Sequence, residues 1–124
     1  MVEPVVLENL VRRSDGLSTI VYPCRDNLEF QLLTTRTATL NINLVRIVFH
    51  AHSETSYQPL GKNISDDVIH IEKGSLTVQT DDGKSILLKK GDTMRIPPDL
   101  RYKFKNISVH NVVMIFATNK LEVR

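Results

Sequence analysis

Short runs of β-branched and aromatic residues, separated by turn-forming residues, recur through the whole sequence. Residues 67–72, 75–80 and 85–89 show the pattern clearly, with Gly74 after the first run and Gly83 before the last. The apolar spacing of three and four residues that marks an amphipathic helix is not sustained anywhere. Regularly spaced short strands with turn signals are typical of an all-β sandwich or barrel. Because 124 residues is an ordinary length for one domain, we expect residues 1–124 to form a single domain.

Charge and hydropathy argue against several classes of protein. The formal net charge of +2 is far below the basic excess of a dedicated nucleic-acid-binding protein. No apolar run approaches the roughly 20 residues that a membrane helix needs, and the first residues lack the pattern of a signal peptide. Cys24 is the only cysteine, so no intrachain disulfide can form. We therefore expect a cytoplasmic protein that binds neither nucleic acid nor membrane.

The strand predicted over residues 45–52 ends in a His-x-His pair. Alternate side chains of a strand share a face, so we expect Arg46, His50 and His52 to project together. Two imidazoles on one rigid strand can supply half of a metal site or of an acid–base site. The alternative is that both histidines hydrogen-bond to loop backbone at the end of the strand. An inward Arg46 would need an anionic partner, such as a ligand carboxylate or phosphate, unless a bulge turns it outward.

Over residues 50–106 the sequence resembles the cupin superfamily, whose members are small jelly-roll barrels with two short signature segments. The His-x-His pair and Gly74 match the first segment, and Asp67 stands at the position of its usual Glu. In the second segment, Tyr102 replaces the usual His. The other matches in that segment are Gly91, Pro97 and Asn106. The resemblance implies an all-β fold, a single jelly-roll β-barrel, with a cupin core over about residues 40–118.

The resemblance also implies an inward-facing site. A divalent transition metal (Zn, Fe, Mn or Ni) would be held by His50, His52 and Asp67. Catalysis would fall to His50, His52 and Tyr102, and the ligand would be bound by Arg46 and Tyr102. The alternatives are that Asp67 only ends the preceding loop, and that Tyr102 is an aromatic core residue.

Three functions remain open from the sequence. The first is a metal-assisted isomerase, cyclase, lyase or oxygenase acting on a small polar molecule bound in the barrel. The second is a metal-free enzyme, similar to sugar-nucleotide epimerases, in which a histidine oriented by Asp67 is the base and Tyr102 the acid. The third is a cupin that binds a ligand or dimerises without turnover. We expect a homodimer, because single cupin barrels commonly pair and the apolar run over residues 112–116 is predicted to be covered on both faces.

Two further segments carry polar residues. The basic residues Arg95, Arg101, Lys103 and Lys105 are interpreted as a solvated face, because they lack the aromatic interleaving of a nucleic-acid platform. The loop predicted over residues 53–65 is expected to be functional, since loops of this length in compact domains often are.

Overall fold

The computed structural model of this protein describes residues 6–11, 19–22, 28–34, 42–57 and 66–119. Cys24 and the second half of the predicted 53–65 loop lie outside these residues. Leu7–Leu10 form a short 3-10 helix, and no helix in the described ranges is long and apolar enough to cross a membrane. The remaining elements are strands β1 (Thr19–Tyr22), β2 (Leu28–Leu32), β3 (Asn43–Phe49), β4 (Asp67–Lys73), β5 (Ser75–Thr80), β6 (Ser85–Lys89), β7 (Thr93–Ile96), β8 (Tyr102–Lys105) and β9 (Val112–Thr118).

The strands form two antiparallel sheets. The larger sheet has the order β1-β2-β3-β9-β4-β7, and the smaller has the order β6-β5-β8. In the larger sheet the last strand, β9, lies between β3 and β4, so the neighbours of the central strand come from distant parts of the sequence. The prediction of an all-β fold of the jelly-roll type is confirmed.

The core lies between the two sheets, and alternation within strands is clearest in β3, whereas the central strand β9 buries three successive residues, Val112–Met114. In β3 the odd-numbered side chains of Asn43, Val45, Ile47 and Phe49 are buried, whereas the intervening even-numbered side chains are exposed or half-buried. Residues two apart in a strand share a face, so one face of β3 belongs to the core and the other to solvent. The other large buried core side chains include Ile69, Ile71, Leu76, Val78, Ile96, Phe104, Val112 and Met114.

The turns between strands follow the chemistry that the sequence predicts. The β5–β6 hairpin closes over residues 81–84, where Gly83 has a φ of 88°. Gly74, between β4 and β5, has a φ of 80°, a backbone conformation that favours glycine. A Cβ atom added at Gly74 would lie 3.0 Å from Cγ2 of Val112 and 3.2 Å from the backbone oxygen of Asn111. This glycine is therefore required both by its backbone angle and by the close approach of β9.

Candidate functional site

Arg46 and His50 lie on the outer face of the larger sheet. Arg46 is exposed, and its Nε atom is 3.8 Å from Oε2 of Glu72. His50 Nε2 is 3.4 Å from Oε1 of Glu29, a residue opposite Val48 on the same outer face. The expectation that Arg46 faces the interior is wrong. The alternation correctly groups Arg46 with Val48 and His50, but the strand packs its odd-numbered side chains into the core.

His52 lies in a turn rather than in a strand. β3 ends at Phe49, and the chain then reverses, with the Ser53 N–H donating to the His50 carbonyl at 3.1 Å. His52 itself has a φ of 58°, in the left-handed region, and its side chain is exposed. The rule that residues two apart share a face holds only inside a strand. Because β3 ends at Phe49, the strand rule does not predict that the side chains of His50 and His52 point in the same direction.

Asp67 and Tyr102 are the two predicted site residues that lie inside the barrel. Asp67 begins β4 opposite Ile96 and is 1% exposed, and Tyr102 is 5% exposed. The Tyr102 ring packs edge-on against Phe104, with ring centroids 5.1 Å apart. Burial, together with the nearby charge of Asp67, raises the pKa of the Tyr102 hydroxyl well above its usual value. Tyr102 is therefore a neutral phenol at every physiological pH, which makes it a poor metal ligand.

The predicted donor residues do not fit a divalent metal. His50 is held on the outer face, His52 is exposed in a turn, and Asp67 is buried between the sheets. Within the described parts of the chain, no three His, Cys, Asp or Glu side chains are close enough together to hold a metal ion. The metal site predicted from these three residues is not formed. For the same reason, the structure does not bring His50 and His52 together with Tyr102, the residues to which catalysis was assigned.

Asn106, which matches the second cupin-like segment, instead organises the backbone at this end of the barrel. Its side-chain nitrogen donates to the carbonyl oxygens of Phe49 (3.1 Å), His50 (3.0 Å) and His110 (2.8 Å). Its Oδ1 atom accepts from the backbone N–H of Ser108 at 3.0 Å and from the Ser108 hydroxyl at 2.8 Å. The residue is 1% exposed. Asn106 thus ties the end of β3 to the loop between β8 and β9.

A polar cleft of about 170 Å³ opens between the turn after β3 and the end of β8. Among the five predicted site residues only His52 lines it, together with Ser53, Glu54, Lys105, Asn106 and Ile107. An imidazole, a carboxylate and an ammonium group therefore meet at one recess.

A row of basic side chains, formed by Arg101, Lys103 and Lys105 and called here the basic row, runs along the outer side of β8. The ring of Tyr57 lies 4.9 Å from Lys103 Nζ and 5.7 Å from Arg101 Cζ, within the range of cation–π contacts. Oε1 of Glu54 lies 3.1 Å from Lys103 Nζ and 3.4 Å from Lys105 Nζ. Hydrogen bonding from Lys103, followed by that from Lys105 and the charges of both lysines, holds the pKa of Glu54 below its usual value.

The sequence reveals the alternation of the basic row but not its aromatic partner. Tyr57 belongs to the segment before β4, and the basic row lies after β7. The Thr55 N–H donates to the Phe104 carbonyl at 2.9 Å, which lays this segment beside β8. Aromatic packing against the basic residues therefore arises from a long-range contact, which no local sequence pattern signals.

Cross-strand rows of side chains cover the outer face of β3, β9 and β4. Ala117 lies opposite both Leu44 and Val68, and Ile115 lies opposite both Arg46 and His70. Val113 lies opposite Val48, and Glu72 and Lys73 follow on β4, where the register shifts. The apolar members of these rows, called here the β9 patch, are Leu44, Val48, Val68, Val113, Ile115 and Ala117.

Solved structures resemble this architecture over most of its length. An RmlC-like cupin from Shewanella frigidimarina superposes with a TM-score of 0.69 over 87% of each chain, at 17% sequence identity. The Drosophila melanogaster CENP-C cupin domain gives a TM-score of 0.68 at 17% identity, covering 86% of this chain and 78% of its own. The chain has the cupin fold. A third similar structure, FeII HppE, has a TM-score of 0.73 at 11% identity, with 87% of this chain and 59% of that chain covered.

The similarity to these proteins lies in the fold alone. No protein-family model matches the sequence, and no curated protein matches it. Sequence identities of 11–17% are too low to infer that this chain shares the chemistry of these proteins. Its function must therefore be argued from its own residues.

Proposed function

We propose that this protein is a non-catalytic cupin module that forms a homodimer through the outer face of its larger sheet. The observation that carries the proposal is the β9 patch, whose members lie side by side on three neighbouring strands. A homodimeric contact is isologous, so one patch must complement a copy of itself. An apolar strip along one central strand meets that requirement, because a copy of the strip is equally apolar.

The free energy gained by burying the β9 patch can be estimated from the exposed surface of its members. Leu44 is 37% exposed and Val68 is 39% exposed, although both flank the half-buried Ala117. Complete burial of a Val or Leu side chain contributes about 1.5–3 kcal/mol relative to full exposure. Burial of the remaining surface of these two residues would contribute about 1–2 kcal/mol for each protomer, before the half-buried Val48, Ile115 and Ala117 are considered. Val113 is already buried in the protomer.

Charged side chains around the β9 patch are of both signs and largely paired, which limits the repulsion between two identical faces, although burying these pairs costs desolvation free energy. An excess of one sign would repel an identical face, whereas alternating signs permit complementary contacts. The pairs are Arg46 with Glu72 at 3.8 Å, His50 with Glu29 at 3.4 Å and Arg95 with Asp66 at 2.9 Å.

The interior of the barrel favours this proposal over the two enzymatic ones. Among the residues that the structure describes, no three His, Cys, Asp or Glu side chains converge as metal ligands for a metal-assisted reaction. A metal-free reaction would need an acid and a base on one cavity, but Tyr102 is packed against Phe104 in the core and His50 contacts Glu29 outside it. The space between the sheets is filled mainly by apolar side chains, and Asp67 is among the few buried polar ones.

The test is the oligomeric state of matched variants. Sedimentation equilibrium at micromolar concentrations should show a dimer for the wild type. Val68→Glu places a carboxylate in the contact from each protomer, and Arg95, which lies opposite residue 68, is already paired with Asp66, so the dimer should weaken by about 100-fold or more. Leu87→Glu is the control, because Leu87 is an apolar residue, 48% exposed, in the smaller sheet.

Circular dichroism would establish that both variants are folded. A monomeric wild type at about 100 μM would overturn the proposal. The same follows if Val68→Glu and Leu87→Glu dissociate the dimer equally, because the β9 patch would then not be the contact.

A further inference from the structure

We propose that the outer face of the smaller sheet binds an extended, acidic segment of a partner protein along the basic row. This surface is formed by β6, β5 and β8, whereas the β9 patch belongs to the larger sheet. The proposal is therefore independent of homodimerisation.

The charge of this face stands out against the rest of the chain. Its outward side chains include the three members of the basic row and Lys89, whose strand position faces outward because the adjacent Leu88 is buried. Two carboxylates lie beside them: Glu54 next to Lys103 and Lys105, and Asp81, whose N–H donates to the Arg101 carbonyl at 3.2 Å. Four cations and two carboxylates give these residues a formal charge of +2, which equals the formal net charge of the whole sequence.

The cations of the basic row are held in place before a ligand arrives. Lys103 is only 18% exposed, between the Tyr57 ring and the Glu54 carboxylate. The Tyr57 hydroxyl in turn donates to the Thr80 carbonyl at 3.3 Å, which fixes the ring. Side chains that are already ordered lose less conformational entropy on binding, which offsets part of the cost of competing with Glu54 for Lys103 and Lys105.

The spacing of the row selects an extended peptide. Arg101, Lys103 and Lys105 are alternate residues along one strand direction, so their positions repeat about every 6.6–6.8 Å. An extended peptide with an acidic residue at every second position has the same repeat, because its own geometry is that of a strand. Thr77 and Gln79 lie beside Lys105 and Lys103 on β5 and offer polar groups along the same path.

The geometry disfavours a nucleic acid as the occupant. Single-stranded nucleic acids bind through aromatic rings that stack on bases, but the Tyr57 ring is engaged by Lys103 and Arg101.

The polar cleft lies at one end of the basic row. Lys105 belongs both to the basic row and to the lining of the cleft, so the two are continuous. His52 and Ile107 belong to the same lining. A terminal side chain of the bound segment has both a cation and an apolar contact there.

The probe is a fluorescent peptide of about twelve residues in which Glu and Thr alternate, measured by fluorescence anisotropy at low salt, where exposed charges act most strongly. Two ligands serve as comparisons: a peptide of the same composition with its Glu residues in one block, and single-stranded oligothymidylate. The double variant Arg101→Gln/Lys103→Gln removes two charges of the row. Lys84→Gln is the matched control, because Lys84 is exposed in the β5–β6 turn and pairs there with Asp82.

The alternating peptide should bind the wild type more tightly than the blocked peptide or the oligonucleotide does. The double variant should weaken this binding by about tenfold, which corresponds to about 0.7 kcal/mol for each charge. Lys84→Gln should change it less than about twofold, and circular dichroism should show all variants folded.

The proposal fails if the alternating peptide does not bind the wild type at millimolar concentration. It also fails if Lys84→Gln costs at least half the binding free energy that the double variant costs, since each lost charge would then count equally wherever it lies. Equal binding of the blocked peptide would refute the spacing argument, and tighter binding of the oligonucleotide would identify a nucleic acid as the partner instead.

Discussion

Replacing Asn106 with aspartate tests whether one buried amide holds the end of the barrel together. The substitution keeps the size of the side chain and the Oδ1 acceptor for Ser108, but it replaces the donating nitrogen with an oxygen. The new oxygen would face three carbonyl oxygens, those of Phe49, His50 and His110, at distances of 2.8–3.1 Å. Three hydrogen-bond contacts thus become repulsive ones.

The expected loss of stability follows from the number of hydrogen bonds that the Asn106 side chain donates. An amide nitrogen has two N–H groups, so three acceptors within 3.1 Å share two donors. Two lost hydrogen bonds cost about 1 kcal/mol each. A buried carboxylate facing carbonyl oxygens adds its own desolvation, so the free energy of unfolding should fall by about 3–5 kcal/mol near neutral pH. Small domains are stable by only about 5–15 kcal/mol, so the loss would be plainly visible.

The measurement is urea unfolding of Asn106→Asp followed by far-UV circular dichroism, at one fixed protein concentration. Asn111→Asp is the control, since Asn111 is an exposed amide in the same loop region, and its change should stay within about 0.5 kcal/mol. Desolvation raises the pKa of the carboxyl group introduced by Asn106→Asp in the folded state. The deficit relative to the wild type should therefore be largest above that pKa and should shrink as the pH falls through it, because the protonated acid can donate. A loss below about 1 kcal/mol at neutral pH, or one equal to that of Asn111→Asp, would refute the account of Asn106.

Two further predictions concern a turn and a buried phenol. Gly74→Ala should destabilise the fold by about 1–3 kcal/mol more than Gly83→Ala. Both glycines have a positive φ, but only a Cβ added at Gly74 contacts other atoms. Equal losses of stability in urea unfolding would show that the contact with β9 does not matter. The raised pKa of Tyr102 means that the folded state keeps a proton which the unfolded state releases above about pH 10, so the associated stability is full below that pH and is lost as the pH rises. Tyr102→Phe should make the fall of the free energy of unfolding with pH less steep, by the equivalent of one bound proton. An unchanged slope in unfolding measurements between pH 9 and about 11 would contradict the burial of an un-ionised phenol.

The fold was accessible from the sequence because its signals are local. The hairpin at residues 81–84 and the run of strands from β4 to β6 depend on turn residues and on the period of two within each strand. The period also groups Asp67 with Ile69 and Ile71 on one face of β4, and Tyr102 with Phe104 on one face of β8. These features need no knowledge of which strands pair.

The candidate site was not accessible in the same way. Alternation states which residues of β3 share a face, but it does not state which face meets the core. The uniformly apolar set of Val45, Ile47 and Phe49 was a signal for the correct choice, whereas the resemblance to a cupin metal motif favoured the set containing Arg46 and His50. The end of the strand at Phe49 was equally decisive, because the period of two has no meaning beyond it.

The sequence by itself therefore determined the all-β class, the turns, the alternation within each strand and the resemblance to cupins. Only the tertiary structure decided that β9 lies between β3 and β4, which creates the β9 patch from three distant segments. It also brought Tyr57 and Glu54 to the basic row and left His50 outside the barrel. The physical reason is that strand geometry is set by neighbouring residues, whereas the choice of a buried face and of its cross-strand partners is made by packing between segments far apart in the chain.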